Sequence, residues 1–170
     1  IHFSHYPIRR LEAEVLIDAL NQITGTGEKY SSEIPEPFTF IPEKNRSIAL
    51  ADGSTTSAFL EMFGRPPRDT GLESERSNRP SPAQRLHFLN SSHVQRKIEQ
   101  GPKLQALLQS ASSRQEAIQA IYLTVLSRFP TEAELNIAET YAQSGPAAGR
   151  AALVDVAWAL INSAEFLYRH

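Results

Sequence analysis

Five histidines are the candidates for nitrogen ligation of a transition metal: His2, His5, His87, His93 and His170. His2 and His5 stand near the start and His170 is the last residue. His87 and His93 are six apart, off the i,i+4 spacing that puts two ligands on one helical face, so no metal site is expected. Ser91 and His93 are close in sequence, but side chains two apart do not face each other on a helix. No Gly-x-Ser-x-Gly elbow accompanies them, and no nucleophilic triad is expected. Glu12, Glu14 and Asp18 could share parts of one helical face, yet no calcium-loop pattern surrounds them. Together with Arg9 and Arg10 they read as the solvated side of a helix. Gly25-Thr26-Gly27 is too short for a phosphate-cradling loop or a dinucleotide fingerprint. No catalytic residue, cofactor-binding residue or metal ligand is therefore assigned.

Arginine is the remaining chemistry. A planar guanidinium can clamp an anion or satisfy several backbone carbonyls at once. Arg65, Arg68, Arg76 and Arg79 fall in one irregular, charge-rich segment, residues 65–80. Asp69, Glu73 and Glu75 stand close enough to pair with them, which leaves the segment net +1. Arg9, Arg10 or Arg76 is expected to tie irregular segments to the helical core. Two similar tripeptides, Leu89-Asn90-Ser91 and Ile161-Asn162-Ser163, place Asn90 and Asn162 near core-facing positions. Their amides are expected to hydrogen-bond across helices or to the irregular loop. The candidate binding or structural residues are thus Arg9, Arg10, Arg65, Arg68, Arg76, Arg79, Asn90 and Asn162.

The elements that must position these groups are mainly helical. A stripe of Leu11, Val15, Leu16, Ala19, Leu20 and Ile23 predicts a helix over residues 9–24, stopped by Gly25. Residues 26–56, broken by Pro35, Pro37 and Pro42, read as a long loop anchored by Phe38, Phe40 and Ile41, with a turn at Asp52-Gly53. A short helix should carry Phe59, Leu60 and Phe63. Ser81-Pro82 starts the next helix, with Leu86, Leu89, Val94 and Ile98 on its buried side and a break or bend at Asn90-Ser91-Ser92. A short turn holding Leu104, Leu107 and Leu108 follows Gly101-Pro102. Ser113 and Thr131, each with Glu three residues on, open two further helices, and a last helix spans roughly 148–168. Trp158 reads as a packing anchor beside its apolar stripe. The whole is an irregular multi-helix domain or domain fragment, residues 1–170, mainly α, with a long proline-containing loop.

Composition narrows the function. The chain has 170 residues, 41% hydrophobic and 21% charged, enough for one cooperative core. Net charge is −2, divided as −3 over residues 1–80 and +1 over residues 81–170. Neither half supplies the basic field of a nucleic-acid binder. Cysteine is absent, which excludes disulfides, thiolate metal sites and covalent haem attachment within this chain. No apolar run reaches the length of a membrane span. The opening residues have neither an initiator Met nor the order of a signal peptide, so the chain is expected to begin inside a longer polypeptide.

Several blocks together carry a family resemblance. They are Arg9-Arg10-Leu11-Glu12-Ala13-Glu14, Phe59-Leu60-Glu61-Met62-Phe63-Gly64-Arg65-Pro66, Glu75-Arg76-Ser77, Gln84 and Leu89-Asn90-Ser91. Later come Tyr122-Leu123, Arg128-Phe129-Pro130-Thr131, Glu134-Leu135 and the ending Leu160-Ile161-Asn162-Ser163-Ala164-Glu165-Phe166. Over residues 5–168 the chain resembles the C-terminal domain of large planctomycete proteins that often carry a cytochrome-c-like region upstream. The resemblance implies export to the periplasm or cell surface, with haem only in an upstream domain. Members often have Cys-x-Cys before the Glu-Arg pair. Leu72 and Ser74 stand there in this chain, so no role of that pair carries over.

Two functions follow as expectations. The first is a non-catalytic interaction or scaffolding module of an exported envelope protein, whose partners are upstream domains of the same polypeptide, another envelope protein or a polysaccharide. The alternative is an accessory part of an enzyme active site, or of a groove for glycans or anionic substrates, completed by upstream domains. Guanidinium groups converging on an open cleft would favour the second, and arginines turned back onto carboxylates or carbonyls the first.

Overall fold

The computed structural model describes residues 9–35, 37–39, 41, 46–50, 54–65, 76–77, 79–145, 147 and 149–169. Arg68 and most of the charged segment lie outside them, as do Phe40 and Asp52-Gly53. The described chain is mainly helical, as its periodicity predicts.

Helix α1 (Ala13–Thr24) buries Leu16, Ile17, Leu20 and Ile23, none more than 5% exposed. Gly25 ends it in the left-handed region at φ 75°, and the N–H groups of Gly25 and Thr26 both donate to the Asn21 carbonyl. The helix does not start at residue 9. Strand β1 (Arg9–Arg10) pairs antiparallel with strand β2 (Tyr168–Arg169), and the Leu11 N–H extends the pairing to the Leu167 carbonyl at 3.0 Å. This long-range ladder satisfies backbone groups that a helix beginning at Arg9 would leave open.

The described part of the 26–56 loop meets α1 at its 3-10 turn. Ser31 and Thr56 exchange two backbone hydrogen bonds of 2.8 Å, and a 3-10 turn (Ser47–Ala49) packs on α1. Phe38 is not an anchor: it is 82% exposed. Ile41 is half-buried. Tyr30 and Leu50 pack against the core instead, and the turn is held by the buried carboxylate of Asp18. Helix α2 (Ala58–Met62) then buries Phe59 and Leu60 with Phe63 beyond it, and the Phe59 and Phe63 rings stack at 4.2 Å.

Helices α3 (Pro82–Asn90), α4 (Ser92–Gln100) and α5 (Pro102–Ser110) follow. Ser81 and Gln84 form a full capping box around Pro82. The expected buried stripe is half wrong. Leu86 and Leu89 are 56% and 38% exposed, while Gln84 and Phe88 are buried. The helix stops at Asn90, so the face of α3 is set by Phe88 against the Phe63 ring, 5.4 Å away, and does not continue toward Val94 and Ile98. Residues 104–108 belong to a full helix, because Pro102 occupies a first-turn position where its missing donor is harmless.

Helices α6 (Arg114–Leu126) and α7 (Glu132–Ser144) are capped by Ser113 and Thr131 as expected. The last helix is divided: α8 (Arg150–Ile161) and α9 (Ala164–Leu167) are separated by Asn162-Ser163. Two packing groups result. Helix α1 meets α2, α4, α5 and the 3-10 turn, α6 meets α7 and α8, and α4 touches α8 to join them.

The two tripeptides are helix breaks. Asn90 is exposed at the end of α3, and Asn162 donates to the Trp158 carbonyl of its own helix at 2.9 Å. Among the described residues neither amide bonds across helices or to the irregular loop. The serines restart the chain: Ser91 accepts from Val94 N–H at 3.2 Å and Ser163 from Phe166 N–H at 3.2 Å. Replacing Ser91 by Ala is expected to lower stability by about 1 kcal/mol, whereas Asn90→Ala should change it by less than about 0.5 kcal/mol. Urea unfolding of both variants decides this. A larger loss from the asparagine would restore the amide-centred role.

Candidate functional site

At the N-terminal end of α1 two of the candidate arginines, Arg65 and Arg76, converge. Glu14, only 5% exposed, accepts from Arg76 Nη1 at 2.9 Å and Nη2 at 2.7 Å, a bidentate pair. Arg65 Nε lies 3.4 Å from the same carboxylate, and Arg65 Nη1 donates to the Thr55 carbonyl at 3.0 Å. A glycine makes this convergence possible. Gly64 sits at φ 98°, and a Cβ there would stand 2.1 Å from the Ser77 carbonyl oxygen, while Ser77 N–H donates to the Gly64 carbonyl at 3.1 Å. The two ends of the charged segment thus touch, which brings Arg65 and Arg76 onto one carboxylate. Burial pushes the Glu14 carboxyl up. The Arg76 hydrogen bonds, the backbone N–H of Glu14 and the charges of Arg76 and Arg65 outweigh it, and Glu14 ends below the ordinary carboxylate range.

Arg10, 6% exposed, is held differently. Its Nη2 donates to the Phe63 carbonyl at 2.7 Å, its Nη1 to Gln84 Oε1 and its Nε to the Leu11 carbonyl, and its guanidinium lies 5.0 Å from the Phe63 ring centroid. Gln84 also accepts from Ser81 N–H and donates to the Met62 carbonyl, so one amide ties β1, α2 and α3 together. Burial lowers the affinity of Arg10 for its proton, partly offset by the neighbouring Tyr168. Arg10 and Asn162 both border a cleft of about 640 Å³ between α3 and the α9–β2 segment. Arg9 and Arg79 are exposed.

A second polar cluster brings together His87 and His93, whose spacing would keep them apart on a single helix. The break at Ser91 turns α4 relative to α3, so that His87 Nε2 lies 3.5 Å from His93 Nδ1. His93 Nε2 in turn lies 3.1 Å from Glu28 Oε2, and Lys97 Nζ is 3.6 Å from the same oxygen. Lys97 also donates to Asn21 Oδ1 at 2.7 Å and the Gly27 carbonyl at 2.6 Å, which pins the loop after α1. Burial and the neighbouring His93 push His87 below its ordinary value. The signal in the sequence was the Asn-Ser-Ser run between the two histidines, which ends one helix and starts another. Among the described residues no group of three or more His, Asp and Glu side chains is arranged to hold a metal ion.

On the far side, Tyr122, Ile137, Tyr141, Trp158 and Leu160 line a cleft of about 600 Å³ between α7 and α8. Ile137 is 70% exposed. Tyr141 donates to Asp155 Oδ2 at 2.7 Å, and Arg128 bridges Glu134 and Glu165, joining the α6–α7 turn to α9. These hydrogen bonds from Arg128 and from Thr131 bring Glu134 down to about 2.

No helix among the described residues is long and apolar enough to cross a membrane. No curated protein and no solved structure matches the chain. A family match covers residues 1–142, a shorter span than the 5–168 of the sequence resemblance, with α8 and α9 beyond it. On that match the chain belongs to the PSD1 family, described as protein of unknown function (DUF1553).

Proposed function

We propose that this chain is a non-catalytic interaction or scaffolding module of a larger exported envelope protein, in the periplasm or at the cell surface, docked against upstream domains that include a cytochrome-c-like region. The observation that carries the reading is the direction of the guanidinium groups. Arg10, Arg65 and Arg76 turn inward onto Glu14, Gln84 and the carbonyls of Thr55 and Phe63, and they hold irregular segments in place. A clamp for glycans or anionic substrates on residues 65–80 would need Arg65 and Arg76 turned outward. The apolar α7–α8 cleft adds support, since half-buried aromatic and aliphatic surface opening beside the exposed Ile137 suits contact with another protein surface.

Hydrogen exchange tests the docking. In the longer polypeptide, amides of α7 and α8 should exchange more slowly than in the 170-residue chain alone, and Ile137→Asp should remove the difference without changing the melting temperature. Equal exchange in both contexts rejects docking on this face.

A further inference from the structure

A buried cation without an anion needs a physical explanation. Among the described residues Arg10 has three oxygen acceptors, all neutral, and no ion pair. Arg65 and Arg76, by contrast, both lie on Glu14. Removing a guanidinium from water costs several kcal/mol, and neutral carbonyls with one aromatic face recover only part of that. The cost is usually met by a carboxylate. Here the space beside Arg10 is a cleft.

The lining of that cleft has a consistent character. Among the described residues it contains two arginines, Arg10 and Arg85, and no acidic residue. Leu86, Phe88 and Leu167 contribute apolar wall, and Gln84 adds an amide beside the guanidinium. The volume of about 640 Å³ falls in the range of small-molecule sites, which are mainly apolar with a few fixed polar groups. The exposure of Leu86, at 56%, has its counterpart in this wall. Arg10 has donor capacity left, since a guanidinium carries five N–H groups and three are used. A single buried positive charge is matched by a single negative one, and a carboxylate fits it better than a phosphate dianion.

We propose that the cleft between α3 and the α9–β2 segment binds an organic monoanion, a carboxylate carried on an apolar body, with the Arg10 guanidinium as its counter-ion. The carboxylate accepts from the free N–H groups of Arg10, and the apolar body lies along Leu86, Phe88 and Leu167. Arg85 at the rim attracts the anion on approach. This site does not depend on the docking of α7 and α8.

Octanoate serves as the probe, with octanamide as its neutral counterpart, titrated calorimetrically into the 170-residue chain. Octanoate should bind saturably at one site, and octanamide about tenfold or more weakly. Arg10 is a poor first variant, because it also ties β1 to Phe63 and Gln84. Leu86 is exposed, so Leu86→Glu should leave the melting temperature unchanged and weaken octanoate by about tenfold through like-charge repulsion. Leu86→Gln should weaken it much less. No saturable octanoate binding, equal affinity for octanamide, or wild-type affinity in Leu86→Glu would each overturn the proposal.

Discussion

Replacing Glu14 by Ala is expected to destabilise the fold by about 3–5 kcal/mol, because it removes the buried carboxylate that Arg65 and Arg76 share. Arg65 has only 8% of its side chain exposed, and its ion pair among the described residues is with Glu14. Arg76 is 29% exposed and can recover water once released, so Arg76→Ala should cost distinctly less. The double variant Glu14→Ala with Arg76→Ala should therefore be less damaging than the sum of the singles. Glu14→Gln keeps shape and one acceptor oxygen without the charge, and should fall between wild type and Glu14→Ala. The pH dependence has a definite sign. Glu14 is held below its ordinary value when folded, so its stabilisation is fully present above the unfolded-state value. It is lost as pH falls through the folded one. Urea midpoints measured across that acid range should converge for wild type and Glu14→Gln. Midpoints that stay parallel would mean that the carboxylate contributes no charge-dependent stability.

The same carboxylate shows where sequence alone stops. Helical periodicity correctly placed Leu16, Leu20 and Ile23 in the core, and serine, threonine and proline positions correctly marked the starts of α3, α6 and α7. Those signals are local, since a cap or a stripe involves residues within one or two turns. Glu14 and Asp18 stand one turn apart on the polar side of α1, and that side was expected to face water. It is covered by segments distant in sequence, residues 46–50, 55–65 and 76–77, and polar pairing across such distances leaves no periodic trace. Arg10 is a similar case, since its burial depends on β2 and α3. The His87–His93 contact was nearer to view. A break was anticipated between them, but a break reorients two helices by an amount that spacing rules for a single helix do not contain. The cleft beside Arg10 needs both helices and the returning C-terminal strand, and became visible only once they were assembled.

Asp18→Ala is the second substitution with a large expected effect, and it should act on the loop first. The Asp18 side chain is 3% exposed. Its Oδ1 accepts from Ser47 N–H at 2.7 Å and its Oδ2 from Ile48 N–H at 3.0 Å. These are the leading, otherwise unpaired donors of the 3-10 turn, and a carboxylate there satisfies both at once. Arg46 lies 3.6 Å away but is 71% exposed, so that pair adds little. Alanine would strand two donors, one of them on the buried Ser47, at a cost of about 2–4 kcal/mol. Asparagine offers one oxygen and turns an N–H₂ group toward the other donor, so Asp18→Asn should recover less than half of the loss. Since Asp18 secures the Ser47–Ala49 turn against α1, trypsin should cut after Arg46 markedly faster in Asp18→Ala than in wild type, under conditions where α1 remains protected from hydrogen exchange. If cleavage and melting temperature are both unchanged, then the Tyr30–Ser47 hydroxyl contact of 2.8 Å and the packing of Tyr30 and Leu50 suffice to hold the loop, and Asp18 is not its anchor.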